Sequence, residues 1–199
     1  MPERLILASG SAARRSILRA AAVPFEGVIP SFDEQTARMA MSEDDRTPRD
    51  IALGLAEGKA LAADPAAPDI LVLGADQVLE FKGAVFSKPQ TKDDARAQLE
   101  ALAGERHALH SALAITQKAE VIWRHVSTVW MEMRALSVDY LSDYLERNWP
   151  DIGESIGGYK LEGEGGRLFQ KIDGDYFSVL GLPLLPLVSW LIDRGVLST

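Results

Sequence analysis

A scattered set of polar and charged residues interrupts apolar patterns where a core residue is expected: Ser9, Arg14, Glu34, Lys59, Asp76, Lys88, Lys160 and Glu162. Such placements cost stability unless a ligand or a partner uses them. Cations, a hydroxyl and carboxylates in one chain are the groups that grip phosphates, hold a divalent ion and move a proton from water. Together they predict an enzyme acting on a polyphosphate.

The individual readings differ in weight. Ser9-Gly10-Ser11 precedes a helical pattern, so backbone N–H groups and the Ser9 and Ser11 hydroxyls can donate to phosphate oxygens, with Arg14 and Arg15 in the first turn. Ser11 as a simple cap with both arginines in solvent is the competing reading. Lys59 projects between Ala52, Leu55 and Ala56 at helical spacing and so needs an anion, unless it snorkels past the helix end. Asp76 follows Ile70-Leu71-Val72-Leu73 and Gly74, which places a carboxylate at the end of a buried strand, where α/β sheets bind ligands. It could ligate Mg²⁺ or Mn²⁺, serve as a general base, or merely form a turn. His107 and His110 point to opposite faces of a strand and do not form a shared zinc site.

These residues need an α/β scaffold to position them. Leu5–Ala8 predicts a strand, a tight turn follows, and Ile17, Leu18 and Ala21 continue a helix. Residues 25–29 predict a second strand, and residues 30–46, polar and acidic, a mobile loop carrying Glu34. Thr47-Pro48 starts a helix that runs to about Ala62. The strand at Ile70–Leu73 closes at Gly74-Ala75-Asp76, and residues 78–86 form a hairpin about Lys82-Gly83. Thr91 with Asp94 resembles a capping box for a helix that ends near Gly104. Two long strands follow over residues 108–116 and 121–133, then a helix from Ser137 to Trp149-Pro150. Residues 153–166 are glycine-rich yet hold Tyr159, Lys160 and Glu162, as where backbone approaches a ligand closely, and an apolar helix closes the chain. The expected fold is α/β, a central mixed twisted sheet flanked by helices, with two lobes around a nucleotide-binding cleft inside one domain spanning residues 1–199.

Composition narrows the classes. The chain has 199 residues, 47% of them hydrophobic, enough to bury a substantial core. A formal charge of −8 repels nucleic-acid backbones and anionic membranes, so neither is an expected partner. There is no cysteine and hence no disulfide, thiolate site or cysteine nucleophile. Residues 1–8 are too short for a signal peptide and no run is long enough for a membrane span, which predicts a cytoplasmic protein.

Leu7-Ala8-Ser9-Gly10-Ser11 followed by Arg14 resembles the opening motif of the Maf family, the septum-formation-inhibitor-like nucleotide pyrophosphatases. Phe32-Asp33-Glu34, Gly58-Lys59-Ala60, Gly74-Ala75-Asp76-Gln77-Val78, Ser87-Lys88-Pro89, residues 157–163 and residues 179–184 follow in the same order, so the resemblance covers nearly the whole chain. It implies a Maf/ITPase-like fold and hydrolysis of a nucleoside triphosphate between its α and β phosphates, giving a monophosphate and pyrophosphate with Mg²⁺ or Mn²⁺. It implies Asp76 as proton acceptor, Glu34 and Asp76 near the metal, and Ser9, Arg14, Lys59, Lys88 and Lys160 on the substrate. It also implies a homodimer and a house-cleaning role against modified nucleotides. Asp76-Gln77 and Lys160-Leu161-Glu162 resemble the branch acting on 7-methyl-GTP, with Gln77 and Glu162 facing the base. Ala12 and Ala13 depart from the family's usual Pro and Arg or Trp, which bears on the substrate contact at Ala13. The rival expectation is a nucleotide sensor without catalysis that inhibits septum formation through a protein partner.

Overall fold

A computed structural model describes residues 3–198; Met1 and Pro2, part of the segment read for a signal peptide, lie outside them. The elements in chain order are β1 (Arg4–Ala8), α1 (Ala12–Ala20), β2 (Glu26–Val28), α2 (Glu34–Glu43), α3 (Pro48–Ala63), β3 (Ile70–Phe81), β4 (Ala84–Phe86), α4 (Lys92–Leu102), β5 (Arg106–Gln117), β6 (Glu120–Met133), α5 (Val138–Asn148), β7 (Phe169–Asp173), α6 (Tyr176–Val179) and α7 (Leu184–Asp193). The strands form one seven-stranded sheet in the order β2-β1-β3-β5-β6-β7, with β4 paired to β3. Pairing of β1 with β2 and β3 is parallel, and that of β4 with β3 and β7 with β6 antiparallel, so the sheet is mixed.

The chain separates into two compact units, and the division falls within β3, β5 and β6. Among the described residues the first comprises 3–77, 110–127 and 175–198; the second, 78–109 and 128–174. In the first unit the period of two along β1 and β3 sends Leu5, Leu7, Leu71 and Leu73 to one face, where they pack with Ile17 and Leu18 of α1 and Leu187 and Leu191 of α7. Ala8 and Val72 face the other way, against Ala60 of α3. The result is helix, sheet, helix.

The second unit starts from the β3–β4 hairpin, in which Phe81 pairs with Ala84 across Lys82-Gly83. Both turn residues have positive φ, 51° and 82°, as a two-residue hairpin turn requires. Thr91 and Asp94 make the reciprocal capping box on α4, and Ser137 caps α5. Tyr144 of α5 is fully buried and donates from its hydroxyl to the Gly158 carbonyl at 3.2 Å, so the glycine-rich segment is packed in place.

Two expectations need correction. Residues 34–43 are a helix, not a loop, because Asp33 caps it by accepting from the Thr36 amide and no glycine or proline interrupts it. Nothing in α2 is fully buried, so apolar periodicity carries no signal there. The strand expected to close at Gly74-Ala75-Asp76 instead continues to Phe81. Asp76 is thus inside β3, two residues beyond Gly74, where the parallel ladder with Ala8 stops.

Candidate active site

Two glycines decide how α3 meets its neighbours. A Cβ on Gly74 would lie 2.0 Å from the Ala56 carbonyl oxygen and 2.7 Å from the Ala60 nitrogen, so only glycine lets α3 sit this close on β3. Lys59, between those contacts in sequence, then reaches Asp76: its Nζ donates to Asp76 Oδ1 at 2.5 Å. On the other side of α3, Gly58 leaves room for the Phe32 ring, which a Cβ would meet at 2.5 Å. Two residues after Phe32, Glu34 opens α2, and its Oε2 lies 2.6 Å from the same Nζ. The ammonium therefore bridges two carboxylates, and Arg38, one helical turn along α2, binds Glu34 Oε1 at 2.5 Å.

Electrostatics differ across this pair. Burial, the largest influence, pushes the Asp76 carboxyl above the usual carboxylate range; Lys59 and Arg14 oppose that push and Glu34 adds to it. Burial also acts to raise Glu34, but Lys59 and Arg38 together outweigh it and hold that carboxyl below its ordinary value. Asp76 Oδ2 is buried with no hydrogen-bond partner, an uncommitted acceptor at a depth where such atoms are costly.

Arg14 is buried, and burial lowers its pKa against the pull of Asp76 and Glu34. Its Nε donates to the Gly181 carbonyl at 2.8 Å, and Nη1 donates to the Ala75 carbonyl at 2.8 Å and to Ser9 Oγ at 3.2 Å. Ser9 Oγ also accepts from the Ser11 amide at 3.2 Å, which leaves its own proton available to donate. Ser11 caps α1 by accepting from the Arg14 amide, while the Ala12 and Ala13 amides, at the first two helical positions, have no intrahelical acceptor. Ala13 itself is half-buried.

Gln77 is committed. Its Nε2 donates toward Ser111 Oγ at 2.9 Å, the Ser178 carbonyl at 3.0 Å and the Val179 carbonyl at 2.9 Å, and Ser111 Oγ donates to the Ser178 carbonyl at 2.6 Å. The amide nitrogen has two protons and three acceptors, so it has no donor left for a base edge. The first unit thus brings together Ser9, Arg14, Glu34, Lys59, Asp76 and Gln77.

In the second unit Lys88 is exposed, Lys160 is paired with the exposed Asp151 at 2.5 Å, and Glu162 is exposed. The same unit holds His107, buried with Nε2 2.7 Å from the Tyr159 hydroxyl, and burial lowers its pKa to about 4.

A family model described as Maf-like protein matches residues 4–194. The chain belongs to the Maf family. A protein of Ruegeria pomeroyi named nucleoside triphosphate pyrophosphatase is 50% identical over 195 residues, 98% of each chain. One of Caulobacter vibrioides with the same name is 45% identical over 192 residues, 96% of each chain. A 7-methyl-GTP pyrophosphatase of Rhizobium meliloti is 40% identical over 197 residues, 99% of each chain.

Motif and spacing alone miss several residues of this Maf protein's site. Ser111 and Ser178 are fully buried polar residues that fix Gln77, and the signal for Ser111 is the polar break it makes in the apolar run Ala108–Ile115. Arg15, expected in solvent if not on phosphate, donates from Nη2 to the Ser9 carbonyl at 3.1 Å. Arg38 carries a signal too, four residues after Glu34 in a segment whose polarity suggests a loop. Among the described residues, no group of three or more His, Cys, Asp or Glu is placed to hold a metal, and no helix is long and apolar enough to cross a membrane.

Proposed function

We propose that this Maf protein is a nucleoside triphosphate pyrophosphatase that hydrolyses the bond between the α and β phosphates. The carrying observation is the buried Asp76 carboxylate with one oxygen on Lys59 and the other unpartnered. In this reading Oδ2 takes the proton of an attacking water, whose oxygen forms a bond to the α phosphorus as the bond from that phosphorus to the bridging oxygen breaks. Pyrophosphate leaves and the nucleoside monophosphate remains. A carboxyl raised by burial is a better base than one at its ordinary value, because its affinity for the proton is closer to that of the reacting water.

The free amides of Ala12 and Ala13 and the Ser9 proton make a phosphate-binding turn, with Arg14 fixing its shape and adding charge. Two carboxylates fit a magnesium-type ion, which usually takes one or two protein carboxylates and completes its shell with phosphate and water. Glu34 and Asp76 would hold it, and it would supply Lewis-acid stabilisation of the charge that develops on the leaving group. Lys59, Lys88 and Lys160 are assigned to the triphosphate and Glu162 to the base, where a carboxylate can accept from a guanine N1–H and exocyclic amine. A modified guanosine triphosphate such as 7-methyl-GTP is the proposed substrate, and the cytoplasm and a homodimer the proposed setting.

Product analysis decides the reading. With Mg²⁺ or Mn²⁺, the panel 7-methyl-GTP, GTP, dTTP, UTP and CTP should give monophosphate and pyrophosphate, fastest from 7-methyl-GTP, and Asp76→Asn should give none. Release of inorganic phosphate alone, or turnover unchanged in Asp76→Asn, would contradict it.

A further inference from the structure

Lys59 does more here than an ordinary phosphate-gripping lysine would. Its Nζ is 2.5 Å from Asp76 Oδ1 and 2.6 Å from Glu34 Oε2, and its side chain is 13% exposed against 5% for that of Asp76. The ammonium fills the position between two carboxylates that a cation shared by them would take. A divalent ion held by those same two oxygens would need the space Nζ occupies, and a dication beside an ammonium is repelled.

We infer that Lys59 is the resident counter-cation of the Glu34–Asp76 pair, and that a divalent ion bridges the pair only by displacing its ammonium. This rests on the proposed metal site. The displaced ammonium keeps three donors and its charge, so a phosphate is the natural acceptor for it. Metal and polyphosphate then bind with positive coupling, and by linkage each raises the affinity of the other by the same factor. The pair is never left without a cation, which a buried carboxylate in this setting requires. Arg38 remains on the outer oxygen of Glu34 and keeps that side chain in place through the exchange.

The test is direct Mn²⁺ binding to the full chain without nucleotide, followed by electron paramagnetic resonance at pH 8, for the wild type and Lys59→Met. The variant should bind Mn²⁺ about tenfold more tightly, a typical coupling factor. In parallel, acetic anhydride labelling of the wild type, read by mass spectrometry, should show Lys59 becoming severalfold more reactive as Mn²⁺ saturates, with Lys88 and Lys160 unchanged. Equal or weaker Mn²⁺ affinity in the variant overturns the inference. So does unchanged Lys59 reactivity at saturating Mn²⁺, which would mean the ion sits on Asp76 Oδ2 beside an unmoved lysine. If Lys59→Met does not fold, the labelling of the wild type decides alone. Neither readout depends on turnover: displacement of Lys59 in a protein that hydrolyses no triphosphate would leave this inference standing and remove the proposed function, and turnover with an unmoved Lys59 would do the reverse.

Discussion

The candidate site residues of the first unit and those of the second are held in opposite ways. In the first, Arg14, Lys59, Asp76 and Gln77 are each fixed by bonds to backbone or to one another, Arg14 and Asp76 buried and Lys59 and Gln77 half-buried. In the second, Lys88 and Glu162 lie in water and Lys160 rests on an exposed aspartate, an arrangement of the kind that contributes little to stability. Groups that must stand in one geometry for bond breaking gain from being fixed in advance. Groups that choose among bases need only be available, and their side chains can adapt. The contrast divides the residues by role. Under the proposed function, substitutions at these first-unit positions should cost chemistry or folding, and at these second-unit positions should weaken triphosphate binding or change which nucleotide is preferred.

The largest expected effect is on the first unit's chemistry. Asp76→Asn keeps the shape but removes the proposed base, and kcat should fall by about 10²–10⁴-fold, the span usual for a lost general base. Circular dichroism should be unchanged, which distinguishes this loss from unfolding. Next comes Gly74→Ala, whose new Cβ would collide with the Ala56 carbonyl 2.0 Å away and with the Ala60 nitrogen. Helix α3 must move off β3, so stability in urea should drop by about 1–3 kcal/mol and activity should fall with it as the stem of Lys59 is carried away from the Glu34–Asp76 pair. Retained activity in a destabilised Gly74→Ala protein would show that the Lys59–Asp76 contact does not need this close approach.

The two units should also answer pH with opposite signs. His107, in the second, is lowered by burial to about 4, so the folded state binds fewer protons than the unfolded one between that value and 6.5. Its contribution is complete above pH 6.5 and is lost as pH falls toward 4. Asp76, in the first, is raised chiefly by burial, so the folded state holds its proton more tightly and stability from this group falls as pH rises through its folded value. In urea titrations from about pH 7 to 4, His107→Gln should flatten the acid loss of stability; an unchanged slope would mean that another group causes it. The acid limb of kcat/KM should lie above the ordinary aspartate range of about 3.9 and move to lower pH in Glu34→Gln, since Glu34 is one of the influences raising Asp76.

How much of this is legible in the sequence follows the same division between buried and exposed. The apolar runs Leu5–Ala8 and Ile70–Leu73, the Thr47-Pro48 start of α3 and the capping box at Thr91 are local signals, and the structure places strands, helix start and cap there, though β3 runs on past Asp76. Lys59 can be read as needing an anion because its neighbours at helical spacing are Ala52, Leu55 and Ala56. What spacing does not reveal is that its anions are the chain's own Asp76 and Glu34, 17 and 25 positions away, since that depends on how closely two backbones approach at Gly74. Helix α2 is hidden because an exposed helix shows no apolar stripe, and only the cap at Asp33 and the spacing of Glu34 to Arg38 announce it. Gln77 is expected to face a base from its place beside Asp76, whereas three acceptors contributed by Ser111, Ser178 and Val179 already share its amide nitrogen.

That last point gives a prediction which could break the contrast. If Gln77 is a strut, Gln77→Leu takes the side-chain donor from the Val179 carbonyl and leaves the Ser178 carbonyl with the Ser111 hydroxyl and the Gly181 amide, and should cost about 1–3 kcal/mol. Preference among triphosphates should stay as in the wild type. A stable Gln77→Leu protein with altered base preference would place a specificity residue among the fixed groups and erase the division between the two units.

The smallest effect should come from the second unit and sharpen the contrast most. Lys160→Ala removes one exposed ion pair, so stability should change by no more than about 0.5 kcal/mol. Because its partner Asp151 lies in solvent, the lysine can leave it for an anionic ligand with little penalty, and KM for the triphosphate should rise while kcat stays near the wild-type value. A fall in kcat with KM unchanged would mean that Lys160 acts only in the transition state, and a half-buried cation on an exposed partner would then share the work otherwise confined to the first unit's fixed set.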